Sequence, residues 1–165
     1  MDQQITRPTR NSASDLTQDE LRSYCWYSTE TGLFTRIRDG RILGCVDPKG
    51  RVRISIGGFL YLAHRLAWLY HYGEWPPGLL DHESRIASDN RIDNLRLASK
   101  GQNAINSEAT WSLSGLRGVY YQKNTSLWRV KIADVNIGYF KTKEAASAAY
   151  RAKAIELYGE FALVA

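Results

Sequence analysis

Residues 79–107 read LLDHESRIASDNRIDNLRLASKGQNAINS, and this segment bears most directly on the fold. Asp81 and His82 are adjacent, Asn94 follows twelve residues after His82, and Asn103 nine residues later. Carboxylate and amide oxygens are the ligands that a hard divalent cation such as Mg²⁺ accepts. A neutral imidazole beside such a cation can take a proton from attacking water. The segment therefore predicts a site suited to phosphodiester hydrolysis.

Two strings in and before this segment carry a family resemblance. They are DNRIDNLR at residues 89–96 and AHRLAW at residues 63–68, and they accompany the Asp81–His82 pair. With them the chain resembles the H-N-H endonucleases, in the phage and homing-endonuclease variety whose final histidine is replaced by asparagine. The resemblance implies a ββα-metal motif at about residues 79–107: a two-stranded ribbon followed by a helix around one metal ion. That ion would be Mg²⁺, with Mn²⁺ able to substitute.

The same resemblance assigns roles to single residues. It implies that Asp81 and Asn103 bind the metal, that His82 is the general base, and that Asn94 braces the loop carrying the histidine. The family usually has an Asn-Gly-Asp turn soon after the histidine, whereas residues 83–86 here are Glu-Ser-Arg-Ile.

Composition bounds the class of protein. A chain of 165 residues with 44% hydrophobic and 12% aromatic residues is not wholly disordered. The net charge of +5 and the pI near 9.3 favour an anionic partner. Basic residues exceed acidic ones 9 to 7 in residues 1–63 and 8 to 5 in residues 108–165, but the two balance at 5 each in residues 64–107. We expect the flanks to hold a polyanion and the centre to hold a cation.

Cys25 and Cys45 are too few and too irregularly spaced for a zinc knuckle or a disulfide framework. No apolar run reaches membrane-spanning length, and the N-terminus lacks a signal-peptide pattern. We expect two reduced thiols and a cytoplasmic protein, in a bacterial host if the chain is phage-encoded.

The N-terminal part begins with polar, unpatterned residues 1–15, which we interpret as a disordered tail. Thr17 and Glu20 have capping-box spacing, which predicts a short helix to about Tyr24. Several short strands should follow, and the best pattern is RVRISI at residues 51–56. Its apolar residues alternate with basic and polar ones, so its outer face is either an ordinary solvated face or a DNA contact.

Two further helices and a strand are predicted in the centre. HRLAWLYHYG at residues 64–73 is typical of an amphipathic helix that ends at glycine. Its His64 is a second candidate for the site histidine, whereas His71 is interpreted as structural. A short strand is predicted at residues 79–82, and a helix from Asn94 with Asp93 as its N-cap.

The C-terminal part predicts a separate unit. Residues 111–115 are small and polar and are interpreted as a linker. Beyond them the pattern predicts three strands, at residues 117–122, 128–132 and 135–140, and then a helix capped by Thr142 that ends at Gly159. The expected fold class is α+β: a ββα-metal nuclease core preceded by short strands and a helix, plus a small three-stranded antiparallel sheet with one packed helix.

This C-terminal unit resembles the plant ethylene-response-factor (Apetala-type) DNA-binding domain. The matching positions are Arg117-Gly118-Val119, Trp128, Ile132, Gly138, Phe140, Thr142, Glu144-Ala145-Ala146, Ala149-Tyr150 and Gly159. The resemblance implies that the sheet, rather than the helix, enters the major groove. Several arginines of the plant domains are replaced here by Tyr120, Gln122, Lys131 and Asp134. The alternative is a three-strand-and-helix module with an ordinary solvated face.

Together these patterns predict a metal-dependent endonuclease of the nicking or homing type, acting on double-stranded DNA. The predicted domains are residues 16–110 for the nuclease and 115–165 for DNA binding. A monomer is favoured over a homodimer, and no membrane and no small-molecule cofactor are expected. The rival class is a non-catalytic DNA-binding regulator, and an RNA-directed nuclease ranks below both. The predicted DNA-binding residues are Arg117, Tyr120, Gln122, Arg129, Lys131, Arg51, Arg53, Arg65, Arg91 and Arg96.

Overall fold

A computed structural model describes residues 15–106 and 114–162 and divides the chain into two units between Leu97 and Ala98. The predicted tail, apart from Asp15, and most of the predicted linker lie outside the described residues. The secondary structure is mixed, with four helices and several small sheets in the described ranges, so the α+β class is confirmed. None of the described helices is long and apolar enough to span a bilayer.

The first unit opens with the predicted capping box. The Thr17 hydroxyl accepts from the Glu20 amide at 3.2 Å, and the Glu20 carboxylate accepts from the Thr17 amide at 2.9 Å. Helix α1 (Gln18–Tyr24) therefore begins where the sequence predicted. A three-stranded antiparallel sheet follows, made of β1 (Cys25–Tyr27), β2 (Phe34–Arg36) and β3 (Ile42–Leu43).

A second antiparallel sheet leads into the central helix. Its strands are β4 (Cys45–Val46), β5 (Val52–Ile56) and β6 (Phe59–Leu62). Helix α2 (Ala63–Tyr72) begins directly after β6 and ends at Gly73, whose φ of 84° is easy for glycine. The core of the unit joins these elements; its fully buried members include Leu21, Phe34, Ile54 and Leu66.

The central segment forms a two-stranded ribbon of β7 (Leu79–His82) and β8 (Leu95–Ala98), followed by helix α3 (Lys100–Asn106). The ribbon and helix agree with the implied ββα order. The prediction of a helix from Asn94 with Asp93 as N-cap was wrong. Residues 92–94 form one 3₁₀ turn, and the chain then pairs with β7. Within β8, Leu95 is buried and Leu97 is exposed, which is the alternation of a strand.

The second unit contains the predicted three strands and helix. The antiparallel sheet has the order β11 (Val135–Phe140), β10 (Leu127–Ile132), β9 (Val119–Gln122). Helix α4 (Lys143–Tyr158) is capped by the Thr142 hydroxyl, which accepts from the Ala145 amide at 3.1 Å, and a 3₁₀ turn at Gly159–Phe161 follows it. The core residues are Ile105, Val119, Val130, Ile132, Ala146, Tyr150, Ala154 and Phe161.

Helix α3 belongs to this second unit. Ile105 is 8% exposed and contributes to its core, and the Tyr158 ring lies 3.2 Å from the position of a Cβ on Gly101. The Arg117 guanidinium donates to the Ala104 carbonyl at 2.5 Å and to the Ile105 carbonyl at 2.8 Å. Those carbonyls lie in the last turn, where a helix lacks internal donors and favours a cation.

Gly118 provides a stability test of the second unit. A Cβ there would lie 2.3 Å from the Lys131 carbonyl oxygen and 2.3 Å from the Tyr150 ring, and φ is +66°. Gly115 has a similar φ of +71°, but no atom lies within 4 Å of the position that a Cβ would take there. Gly118→Ala should therefore cost about 2–4 kcal/mol, whereas Gly115→Ala should cost about 1 kcal/mol. Amide exchange of Val130 and Ile132 measures both, and equal effects would show that the close approach is absent.

Candidate active site

Strand β7 ends in the pair that the sequence singled out. Asp81 is 4% exposed, and its Oδ2 accepts from Arg96 Nε across the ribbon at 3.1 Å. A buried carboxylate needs such a partner because an unpaired charge is costly away from water. Arg96, which is also predicted to contact DNA, therefore holds Asp81, and its DNA contact stays a prediction.

His82 lies against a second imidazole. The ring centroids of His64 and His82 are 5.1 Å apart and the planes meet at 86°, an edge-to-face contact. Burial lowers the pKa of His82 from its usual 6.5, against opposing effects of the Asn90 side chain and the Asp81 and Asp89 carboxylates. A lowered pKa keeps the imidazole neutral near pH 7, which is the form that accepts a proton.

His64, the second-choice histidine, is the more deeply buried of the two. It is 8% exposed, and its Nδ1 has no hydrogen-bond partner among the described residues. Burial, with a smaller contribution from His82, lowers the pKa of His64 to about 3. His71 is exposed at the end of α2, where it contacts the Tyr72 ring.

The loop between β7 and β8 is closed by Asn94. Its side-chain oxygen accepts from the Ser84 amide at 2.8 Å, and its side-chain nitrogen donates to the Asp89 carbonyl at 2.8 Å. The Asn94 carbonyl also accepts from the Glu83 amide at 2.9 Å. These are the bonds that a bracing role requires, and the catalytic contribution of Asn94 stays a prediction.

The departure from the Asn-Gly-Asp turn has a visible consequence at Arg85. This residue has a φ of +64°, in the left-handed region that glycine adopts without cost. Its amide donates to the His82 carbonyl at 2.9 Å, so the turn closes directly after the histidine. The loop therefore turns in this chain with arginine in a conformation that favours glycine.

Asn90 is a residue of this loop that sequence reasoning missed. It is 2% exposed, its side chain donates to the Ser88 carbonyl at 2.9 Å, and it lies close enough to His82 to affect that imidazole. The Tyr27 hydroxyl donates to the Asn90 carbonyl at 2.7 Å. An asparagine next to Asp89 inside the quoted string was the available signal, but its partner Tyr27 lies 63 positions away in sequence.

Asn103, the second predicted metal ligand, lies on α3 and is partly buried. Since α3 groups with the second unit and Asp81 with the first, the two ligands belong to different units.

The available donors can be compared with what a metal requires. Among the described residues no three His, Cys, Asp or Glu side chains cluster as a metal site would need. Mg²⁺ in proteins is nevertheless often held by only one or two carboxylates, with water and substrate phosphate completing its ligands. A carboxylate has about four lone-pair positions, so the bond from Arg96 does not use up Asp81. The donor chemistry fits an Mg²⁺-type ion and not a closed zinc site.

The remaining arginines predicted to bind DNA make contacts within the protein. In the first unit Arg51 and Arg53 both pair with Asp47, at 2.8 and 3.0 Å, and the Asp47 side chain is only 6% exposed. The guanidinium of Arg65 lies 5.6 Å from the centre of the Trp75 ring, and Arg91 pairs with Asp89 at 2.7 Å. Their DNA contacts stay predictions.

The second unit brings four predicted residues to one face of its sheet. Tyr120 pairs in register with Arg129, and Arg129 pairs with Tyr139 on the third strand. Tyr120 and Tyr139 are 49% and 50% exposed, so the row Tyr120–Arg129–Tyr139 faces solvent. Gln122 and Lys131 lie two positions away along the same strands and complete what we name the outer face. Tyr139 was not predicted, although the strand alternation of residues 135–140 was its signal.

Two neighbouring side chains, Asn136 on β11 and Asp134 in the turn between β10 and β11, hold the cations of the outer face. Arg129 Nε donates to Asn136 Oδ1 at 2.9 Å, and Lys131 Nζ lies 3.5 Å from Asp134 Oδ1. Both pairs are short-range and exposed, so they are weak and can be exchanged for another partner.

Comparison with protein families gives one match, to the family described as HNH endonuclease, over residues 61–105. The match covers just over a quarter of the chain and includes Asp81, His82, Asn94 and Asn103. No match was found among curated proteins or among solved structures. The matched region supports a hydrolytic nuclease that acts on DNA, and such nucleases generally use a divalent metal ion.

The buried histidines predict acid sensitivity. An unfolded histidine titrates near 6.5 and folded His64 near 3, so between these values the unfolded state binds the extra proton. Stability should therefore fall as pH drops below 6.5, by up to about 1.4 kcal/mol per pH unit for each such group. His64→Gln should flatten this dependence in urea unfolding at pH 7, 6 and 5, whereas His71→Gln should not. An unchanged slope in His64→Gln would contradict the burial argument.

Proposed function

We propose that this protein is a metal-dependent endonuclease that hydrolyses phosphodiester bonds in double-stranded DNA. The observation that carries the proposal is the end of β7. There a buried carboxylate, Asp81, adjoins an imidazole, His82, that burial keeps neutral, inside a segment that matches HNH endonucleases. A nicking or homing type is the finer form of the proposal.

His82 is the proposed general base. Its neutral imidazole would accept a proton from the attacking water, and the contact with His64 fixes one face of the ring. Asn94 holds the loop that follows, through its bonds to Ser84 and Asp89, and so keeps the imidazole in place. Restricting the base in this way lowers the entropy lost on reaching the transition state.

We propose Asp81 as a ligand of a divalent ion, Mg²⁺ or Mn²⁺. Asn103 enters the proposal as the second ligand through the H-N-H resemblance alone, since it belongs to the other unit. Such an ion supplies charge stabilisation of the phosphate and of the leaving oxygen. Arg96 then has a defined part in this chain, because its bond to Asp81 Oδ2 orients the carboxylate.

The outer face of the second unit is the proposed DNA contact. Tyrosine and arginine side chains in register across a three-stranded sheet can enter a major groove, which is wide enough for β-strands. The Apetala-type resemblance supports the same use of the sheet. The Arg117 guanidinium, which the resemblance also assigns to DNA, bonds to carbonyls of α3, and its DNA contact stays a prediction.

A non-catalytic DNA-binding regulator is the second candidate. The observation that favours it is that the outer face lies wholly within the second unit, so DNA binding does not require the Asp81–His82 pair. The two candidates differ in one measurable property, cleavage.

Cleavage is tested with supercoiled plasmid, with and without Mg²⁺, for the parent and for His82→Ala. We expect the parent to nick the plasmid only with the metal. His82→Ala should cut about 100- to 10,000-fold more slowly at unchanged DNA affinity, because a general base contributes that much.

Asp81→Asn and Asn103→Ala serve as ligand variants in the same assay. Each should raise the Mg²⁺ concentration required for cleavage and leave DNA affinity unaltered, whereas His71→Gln should behave like the parent. A parent that binds DNA and never cuts it with Mg²⁺ or Mn²⁺ would establish the regulator instead.

The outer face is tested by Arg129→Ala. If Arg129 contacts a phosphate, the variant should bind all sequences more weakly and the salt slope should fall by about one unit. If it contacts a base, preference should relax at one position, by about 1–3 kcal/mol. Lys123→Ala, an exposed lysine beyond β9, is the control. Identical affinity and salt slope in Arg129→Ala and the parent would remove this face from the DNA interface.

A further inference from the structure

The β1–β2 hairpin of the first unit contacts the loop that follows His82. Tyr27 is 9% exposed, and its hydroxyl donates to the Asn90 carbonyl at 2.7 Å. The two residues are 63 positions apart, and Tyr27 lies before the region that matches HNH endonucleases. An element outside the matched region therefore reaches into the loop of the candidate active site.

The turn of the same hairpin touches the loop backbone. A Cβ on Gly32 would lie 2.6 Å from the Arg91 amide nitrogen and 2.8 Å from the Asn90 carbonyl carbon, and φ is +71°. Backbone atoms cannot rotate away as a flexible side chain can. Any larger residue at position 32 must therefore displace either the hairpin or the loop at residues 90–91.

Asn90 connects this contact to the imidazole. It is 2% exposed and bonded to the Ser88 carbonyl, so it has little freedom to move alone. Its side chain lies beside His82 and affects that imidazole. A shift of the Asn90 backbone is therefore passed to the environment of His82, whereas Asn94 secures the loop at Ser84 and Asp89.

We propose that the β1–β2 hairpin is a positioning element of the active site, in which Tyr27 and Gly32 fix Asn90 and, through it, His82. This inference rests on the proposed nuclease function. Tyr27 and Gly32 are positioning residues and do not touch substrate. The active site of this chain then includes residues of the preceding sheet, outside residues 61–105.

The first experiment compares Gly32→Ala with Gly40→Ala in the full-length protein. Gly40 has a φ of +68°, close to that of Gly32, but no atom within 4 Å of its Cβ position. The two variants therefore share the backbone cost and differ only in the contact with the loop. Gly32→Ala should lower the single-turnover cleavage rate about 10- to 100-fold at unchanged DNA affinity. Gly40→Ala should stay within about twofold of the parent.

The second experiment uses Tyr27→Phe, which removes only the hydroxyl and keeps the ring in the core. Cleavage should slow by about 3- to 10-fold, consistent with loss of one buried hydrogen bond. Nitrogen-15 NMR of the imidazole rings is a readout independent of cleavage, and the chain has only three histidines to assign. The His82 signals should shift in Tyr27→Phe, and the His71 signals should not.

The outcomes separate the two proposals. Cleavage by Tyr27→Phe and Gly32→Ala at the rate of Gly40→Ala, with unmoved His82 signals, would overturn the positioning role. If Gly32→Ala is unfolded by circular dichroism, Tyr27→Phe decides alone. If the parent does not cut DNA, the nuclease function fails. Shifted His82 signals in Tyr27→Phe would then still support the contact, and unmoved ones would overturn it.

Discussion

The hydrogen bonds of one asparagine side chain hold the loop of the candidate active site together. Asn94 uses both halves of its amide, accepting from Ser84 and donating to Asp89, and it is only 8% exposed. Removing that amide would leave a partly buried N–H and C=O unpaired, each at a cost of about 1–3 kcal/mol. Because the bonds span the loop from end to end, a residue at its close determines the conformation just after His82. A residue later in the chain therefore fixes the conformation of the residues that precede it.

Local signals in the sequence predicted most of the secondary structure. The capping box at Thr17 and Glu20, the helix end at Gly73 and the three C-terminal strands follow from contacts between near neighbours. The helix predicted from Asn94 failed for a physical reason. Leu95 and Leu97 alternate as in a strand, but four residues are too short a pattern to separate a strand from a helix turn. Pairing with β7, a tertiary contact, decides between them.

Some residues of the candidate site could likewise be predicted from the sequence, and others could not. Asp81 and His82 are neighbours in sequence, so their placement at one strand end could be predicted, whereas the partners that tune them could not. Arg96 crosses from the other strand, and His64 comes from a helix. The sequence also does not show which acidic side chain, if any, a basic residue pairs with in the folded protein. Arg51 and Arg53 look like a DNA-facing row until Asp47 is seen between them, nearly buried.

Helix α3 shows why a family boundary and a physical boundary differ. The HNH match runs to residue 105, but the compact units divide before Ala98. A helix of seven residues is marginal by itself and needs an apolar surface to pack on. Ile105 finds that surface among Val119, Val130 and Tyr150, and Arg117 supplies the donors that the last turn lacks. Asn103 is therefore carried by a helix whose stability comes from the second unit.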